Sequence, residues 1–222
     1  VWAQGGYWHL KTRPDELESI SSNQSYFQKS ANAIDERMNE HELSGYASHT
    51  LVHGDYKEAN ILFGSDPDTN CAAVDFQYTG KGYGAKDLVM WIVSSVPSRT
   101  FDQLGGEDGI LTMYHNALCE CVGKIRRLQD ASNNTLNLNW TDEDVENFTN
   151  FDNIKMQYEL ALVDYVRFMA GWGMWGSNCG YAESRAREIL KEIAGGSAQN
   201  MRNFSIADWK RAIYEKYPVE MF

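Results

Sequence analysis

Residues 51–77 read LVHGDYKEANILFGSDPDTNCAAVDFQ, and the spacing of polar groups in this stretch constrains the fold more than any other part of the chain. His53-Gly54-Asp55 is followed by Lys57 and Asn60, and Asp75 comes fifteen residues after that asparagine, at the end of an apolar run. Residues 60–63 and 71–76 have the apolar character of short strands. Between them, Gly64-Ser65-Asp66-Pro67-Asp68-Thr69-Asn70 is dense in turn formers. A hairpin of this kind brings its open ends together, so Asn60 and Asp75 are expected side by side.

Those residue types at that spacing suit phosphoryl transfer. The transition state is loose, so a protein mainly positions the reactants and offsets charge with magnesium, a hard cation that prefers oxygen ligands. Asp55 is placed to accept or orient the proton of an acceptor hydroxyl. Asn60 offers a neutral oxygen and Asp75 a charged one to Mg2+, and Lys57 can reach a phosphate oxygen of ATP as a point charge. Lys57, Asn60 and Asp75 are therefore the expected cofactor-binding residues.

HGDYKEAN resembles the catalytic loop of the protein-kinase-like superfamily, whose protein-kinase form is H-R-D-L-x-x-x-N, and VDFQ sits where that superfamily has D-F-G. With Gly54 in place of the arginine and Gln77 in place of the glycine, the stretch is similar to the small-molecule kinases. These are the aminoglycoside phosphotransferase and choline kinase group, and within it the ecdysteroid-kinase-like (CHK kinase-like) family. Only residues 76–86 separate Asp75 from Asp87, and no A-P-E follows, so a protein substrate is not expected.

The resemblance implies an ATP-dependent phosphotransferase acting on a hydroxyl of a small molecule, with His53, Asp55 and Lys57 as catalytic residues and Asp87 bracing their loop. It implies a mostly α, α+β fold, the C-terminal lobe of the kinase-like architecture. On this reading residues 1–50 form a helical post-hinge segment, 51–87 the catalytic and metal-binding hairpin, and 88–222 a helical substrate subdomain. The strands, nucleotide-covering loop and phosphate-holding lysine of a complete kinase are not read ahead of this lobe, so an N-terminal kinase lobe is expected in the complete protein. The alternative is a non-catalytic binding module or truncated pseudokinase that keeps the fold.

A hydrophobic content of 43% over 222 residues is enough for a sizeable core. A net charge of -11 argues against nucleic acid as a partner, because phosphate backbones call for Lys and Arg. The opening residues lack the pattern of a secretory leader, and no run approaches a membrane span. Cys71, Cys119, Cys121 and Cys179 have neither metal-ligand spacing nor disulfide-scaffold density. A reducing, cytoplasmic setting is the expectation, against which stand Asn-x-Ser/Thr triplets at Asn23, Asn133, Asn139, Asn147 and Asn203.

Along the chain, residues 1–9 carry Trp2, Tyr7 and Trp8, which need a partner surface. Residues 21–41 are expected as a helix, with Tyr26, Phe27, Ala31, Ile34 and Met38 on one face and Gly45 ending that region. Thr79-Gly80-Lys81-Gly82-Tyr83-Gly84 lacks the spacing of a phosphate loop and is expected to be a flexible segment. Helices are expected over 88–96, about 107–128, from Thr141 onward, and over 151–169, 181–194 and 205–217, with a polar loop at 129–139. Within 151–169, Asp164 and Arg167 interrupt the apolar pattern, as an ion pair or, by the resemblance, as part of the acceptor site. Gly171-Trp172-Gly173-Met174-Trp175-Gly176 is expected to bend, with its aromatic rings packed into the core by default or, as the alternative, forming a surface on which an acceptor stacks.

Overall fold

The computed structural model of the protein describes residues 1–39, 49–66, 71–131 and 141–218. An irregular opening leads through a 3-10 turn into α1 (Pro14–Glu18), where proline tolerates the first turn because its missing N–H would have no partner there. Helix α2 (Ser25–Asn39) follows. Four three-residue strands then enclose the motif stretch: β1 (Thr50–Val52), β2 (Ile61–Phe63), β3 (Cys71–Ala73) and β4 (Gly80–Gly82). The rest is helical: α3 (Gly84–Ser94), α4 (Ser98–Gln103), α5 (Gly106–Ala131), α6 (Asp142–Thr149), α7 (Phe151–Trp172), α8 (Cys179–Ile193), α9 (Ala198–Asn203) and α10 (Ile206–Lys216).

The strands form two antiparallel pairs. β1 lies on β4 with Thr50 opposite Gly82 and Val52 opposite Gly80, and β2 lies on β3 with Ile61 opposite Ala73. The fold is thus α+β and mostly α, with the hairpin of residues 61–73 at the edge of a helical body.

Helix α7 is the axis of that body. The Asn150 side chain caps its start by accepting from the Asn153 N–H at 3.0 Å, and Gly173, with φ +126°, ends it. Tyr158, Leu160, Ala161, Leu162, Tyr165, Val166 and Met169 are all fully buried, so this helix is apolar almost all the way round. It packs against α1, α2, α3 and α8. Gly171 makes the contact with α1 possible, since a Cβ there would overlap the Glu16 carbonyl oxygen.

The expected apolar face of α2 is buried at Tyr26, Phe27, Ala31, Ile34 and Met38, and residues 40, 41 and Gly45 lie outside the described residues. α6 and α10 begin with reciprocal capping boxes, Thr141 with Asp144 and Ser205 with Asp208. α8 stops at Gly195 and Gly196, both at positive φ. α5 runs to Ala131, and positions 132–139, with Asn133 and Asn139, lie outside the described residues.

Two expectations are corrected. Residues 80–82 are a strand paired with β1, and on its other side the opening segment approaches so closely that only glycine fits at 80: a Cβ on Gly80 would lie 2.6 Å from the Gly5 nitrogen and from the Trp2 oxygen. Trp172, Met174 and Trp175 do not fill the core; they remain 51%, 37% and 38% exposed, because the chain leaves α7 at its surface end.

Leu162→Ala empties a fully buried position on α7. It is expected to lower the unfolding free energy by about 2–5 kcal/mol, measured by denaturant titration.

Candidate active site

The loop between β1 and β2 is fixed through its backbone. Both oxygens of the Asp87 carboxylate are used: Oδ2 accepts from the His53 N–H at 2.7 Å and Oδ1 from the Gly54 N–H at 2.8 Å. Asp87 stands in the first turn of α3, so the helix holds the loop directly. Burial nevertheless pushes its carboxyl above the ordinary range, outweighing the two N–H groups that pull it down.

From the other side comes the chain's opening segment, which is irregular rather than helical, with a bridge at Trp2 and a turn at residues 7–8. Trp2 bridges to Gly80 in parallel. The Gly5 N–H donates to Lys81 O at 2.8 Å, Gly6 N–H to Tyr78 O at 3.2 Å, and Tyr7 N–H to Gly54 O at 2.7 Å. Residues 5–8 thus form a strap across the motif loop. Gly54 has φ +85°, and a Cβ there would stand 2.2 Å from the Tyr78 oxygen. That accounts for glycine where protein kinases carry arginine: the strap and the loop after Asp75 occupy the space.

Within the loop, Asp55 is 3% exposed. Its carboxylate accepts from Lys57 Nζ at 3.1 and 3.0 Å and, at Oδ2, from the Asn60 amide nitrogen at 3.0 Å. The same nitrogen donates to the Asp55 carbonyl at 2.8 Å. His53 is engaged at both ring nitrogens, with Nε2–H donating to Val74 O at 2.9 Å and Nδ1 accepting from the Asp55 N–H at 3.3 Å. The ring therefore ties the loop to Val74, the residue before Asp75.

The hairpin brings the metal-ligand candidates to one end, since Val74 N–H donates to Asn60 O at 2.9 Å, next to Asp75. Asp75 is exposed and adopts a left-handed conformation, φ 66° and ψ 62°, the one non-glycine residue with positive φ among those described. Its carboxylate accepts from Gln77 Nε2 at 3.3 Å.

Asp164 and Arg167 are not at this cleft. They are 2% and 1% exposed and pair at 2.6 Å, and Arg167 Nη2 donates to the Trp8 carbonyl at 3.0 Å. Of the two expected readings, the pair is thus the ion pair, an interior one that anchors the strap's far end. The strap, and Lys86 beneath it, escaped the sequence reading, although two adjacent glycines before an aromatic pair hint at a close backbone approach. A cavity of about 1180 Å³ beside the strap is lined by Trp2, Gln4, His9, Arg13, Asp35 and Tyr78, among others. Asp55, Asn60 and Asp75 are not in its wall.

A mostly helical body carrying this loop and hairpin is that of a kinase-like phosphotransferase. More narrowly, the chain belongs to the ecdysteroid kinase-like family, whose model matches residues 9–127, a span that includes every residue from His53 to Asp87 named above. No curated protein and no solved structure matches the chain.

Gly54→Ala places a methyl group against the Tyr78 carbonyl at a backbone angle that disfavours side chains. The thermal midpoint is expected to fall by the equivalent of about 1–3 kcal/mol, read by scanning calorimetry.

Proposed function

We propose that the chain is the catalytic lobe of an ATP-dependent kinase that phosphorylates a hydroxyl group of a small molecule. The observation that carries this reading is Asp55: a nearly buried carboxylate, oriented by Lys57 and Asn60, in a loop whose backbone is held from two sides. A carboxylate so fixed can accept the proton of an incoming hydroxyl or hold that hydroxyl in line for attack. Lys57 is 34% exposed and can exchange its contact with Asp55 for a phosphate oxygen.

The donor chemistry fits magnesium. Asn60 spends its amide nitrogen on Asp55, which leaves its carbonyl oxygen for a cation, and the Asp75 carboxylate is exposed beside it in the chain's hairpin. Asn60 and Asp75 would hold Mg2+, which when bound offsets the negative charge of the phosphates. Among the described residues no group of three or more His, Cys, Asp or Glu could hold a metal, in keeping with a site completed by phosphate and water oxygens.

Leu51, Leu62, Phe63 and Phe76 are 64%, 55%, 65% and 59% exposed around this loop and hairpin. So much apolar surface beside a polar site supports an N-terminal lobe as the partner that covers it, together with the nucleotide base. On the acceptor side, Tyr7 meets the rings of Tyr78, Phe168 and Trp172 edge-on at 5.0, 5.7 and 6.0 Å, and Trp172 is half exposed. That wall suits an acceptor with an apolar face. Among the described residues no helix is long and apolar enough to cross a membrane.

Asp55→Ala in the complete protein is expected to lower turnover by about 10²–10⁴-fold without unfolding it. Asp75→Ala is expected to abolish the thermal stabilisation given by Mg·ATP while leaving the midpoint without nucleotide close to that of wild type. Unchanged turnover in Asp55→Ala would take that residue out of the mechanism, and unchanged Mg·ATP stabilisation in Asp75→Ala would take the metal away from Asp75.

A further inference from the structure

Lys86 is a lysine where the packing calls for an apolar residue. It lies in the first turn of α3 and is 2% exposed, in contact with the Trp8 ring, whose centre is 5.4 Å from Nζ. Moving an ammonium group out of water is costly, and a shape-matched apolar side chain generally serves a core as well or better. The nearby charges of Asp164 and Asp35 offset part of that cost, yet burial still pulls the amine below the usual lysine range. What the ammonium provides that a methionine would not is a directional bond: Nζ donates to the Gly5 carbonyl at 2.9 Å.

We propose that Lys86 is a positioning residue for phosphoryl transfer, acting through the Gly5 carbonyl and the strap on the peptide that precedes Asp55. That role rests on the kinase reading of the site. The route is short and each step is a hydrogen bond or a backbone contact. Lys86 holds Gly5 O, and Arg167 holds Trp8 O at 3.0 Å, so two buried cations pin the strap at its two ends. Between them the Tyr7 N–H takes Gly54 O at 2.7 Å, and that oxygen belongs to the same peptide plane as the Asp55 nitrogen.

The strap cannot yield by sliding. A Cβ on Gly5 would already meet Val52 Cγ2 at 2.5 Å and the Gly80 nitrogen at 2.8 Å, so the backbones are in contact. Consecutive residues of α3 therefore hold Gly54 through the peptides on its two sides: Asp87 takes the Gly54 N–H directly, and Lys86 sets the Gly54 carbonyl through the strap.

The test uses the complete protein. Lys86→Met keeps the length of the side chain and removes the donor. It is expected to lower kcat for phosphoryl transfer about 100-fold, as a displacement of the catalytic group on the order of 1 Å would. KM for Mg·ATP is expected to stay within about twofold, because the phosphate and metal groups are untouched. Lys86→Arg, which can still donate to Gly5, is expected to recover most of the lost kcat. Hydrogen exchange gives a readout independent of turnover: the Tyr7 amide exchanges faster in Lys86→Met, while the amides of α7 keep their protection.

Wild-type kcat in a folded Lys86→Met overturns the role, as does an equal loss in Lys86→Arg. Should Lys86→Met fail to fold, Lys86→Gln, with a polar end one bond too short for Gly5, is measured in its place with the same two expectations. If the wild-type protein transfers no phosphoryl group to any acceptor or to water, the kinase reading has failed. The exchange data then decide the strap alone, and equal Tyr7 exchange in wild type and variant overturns it.

Discussion

The peptide between Gly54 and Asp55 is the point on which the site depends. Its carbonyl is taken by the Tyr7 N–H, and the N–H on the other side of Gly54 is taken by the Asp87 carboxylate. A left-handed glycine is the residue that can sit there, because the Tyr78 oxygen occupies the place of any side chain. Loops tend to be the mobile part of a fold, and a loop that must hold a carboxylate in one orientation needs backbone bonds from rigid elements. Here the rigid elements are the first turn of α3 and a strap that is itself packed on β4.

Beneath the strap lies a buried group of charges contributed by four parts of the chain. His9 passes a hydrogen bond through Gln4 to Asp35 on α2, Lys86 comes from α3, and Asp164 pairs with Arg167 on α7. Lys86 and Arg167 stand there with Asp35 and Asp164, and burial is the main cause that lowers the His9 imidazole below its usual range. Such a group contributes little net stability when compared with an apolar core. Its bonds are directional: Lys86 takes the Gly5 carbonyl, and Arg167 takes both Asp164 and the Trp8 carbonyl, which ties the opening segment to the helical body.

How much of this could be read beforehand follows from the range of the forces involved. The hairpin, the pairing of Asn60 with the strand before Asp75, and the caps of α6, α8 and α10 depend on residues close in sequence, and the pattern of residue types announces them. The helical faces of α2 and α7 were legible for the same reason. The strap was not, because nothing local sets the course of residues 1–9; Gly5 and Gly80 are 75 positions apart, and their close approach is a tertiary fact. Of the two readings of Asp164 and Arg167, the ion pair is the one the structure shows. Polar residues in an apolar helix suggest a cleft, but the Trp8 carbonyl reaches them in the interior. The glycines of residues 80–84 were read as freedom, whereas they mark contact.

Asp75 carries a different consequence. Its left-handed backbone disfavours a side chain by roughly 1 kcal/mol, a cost that glycine would avoid and asparagine would feel less. Either exchange would make the fold easier to form and would remove the negative charge that the hairpin presents. Selection for stability alone would therefore drive this position away from aspartate. On the proposed function, thermal robustness and metal affinity pull in opposite directions at a single residue, and an effort to harden this protein would leave that one strained turn as it is.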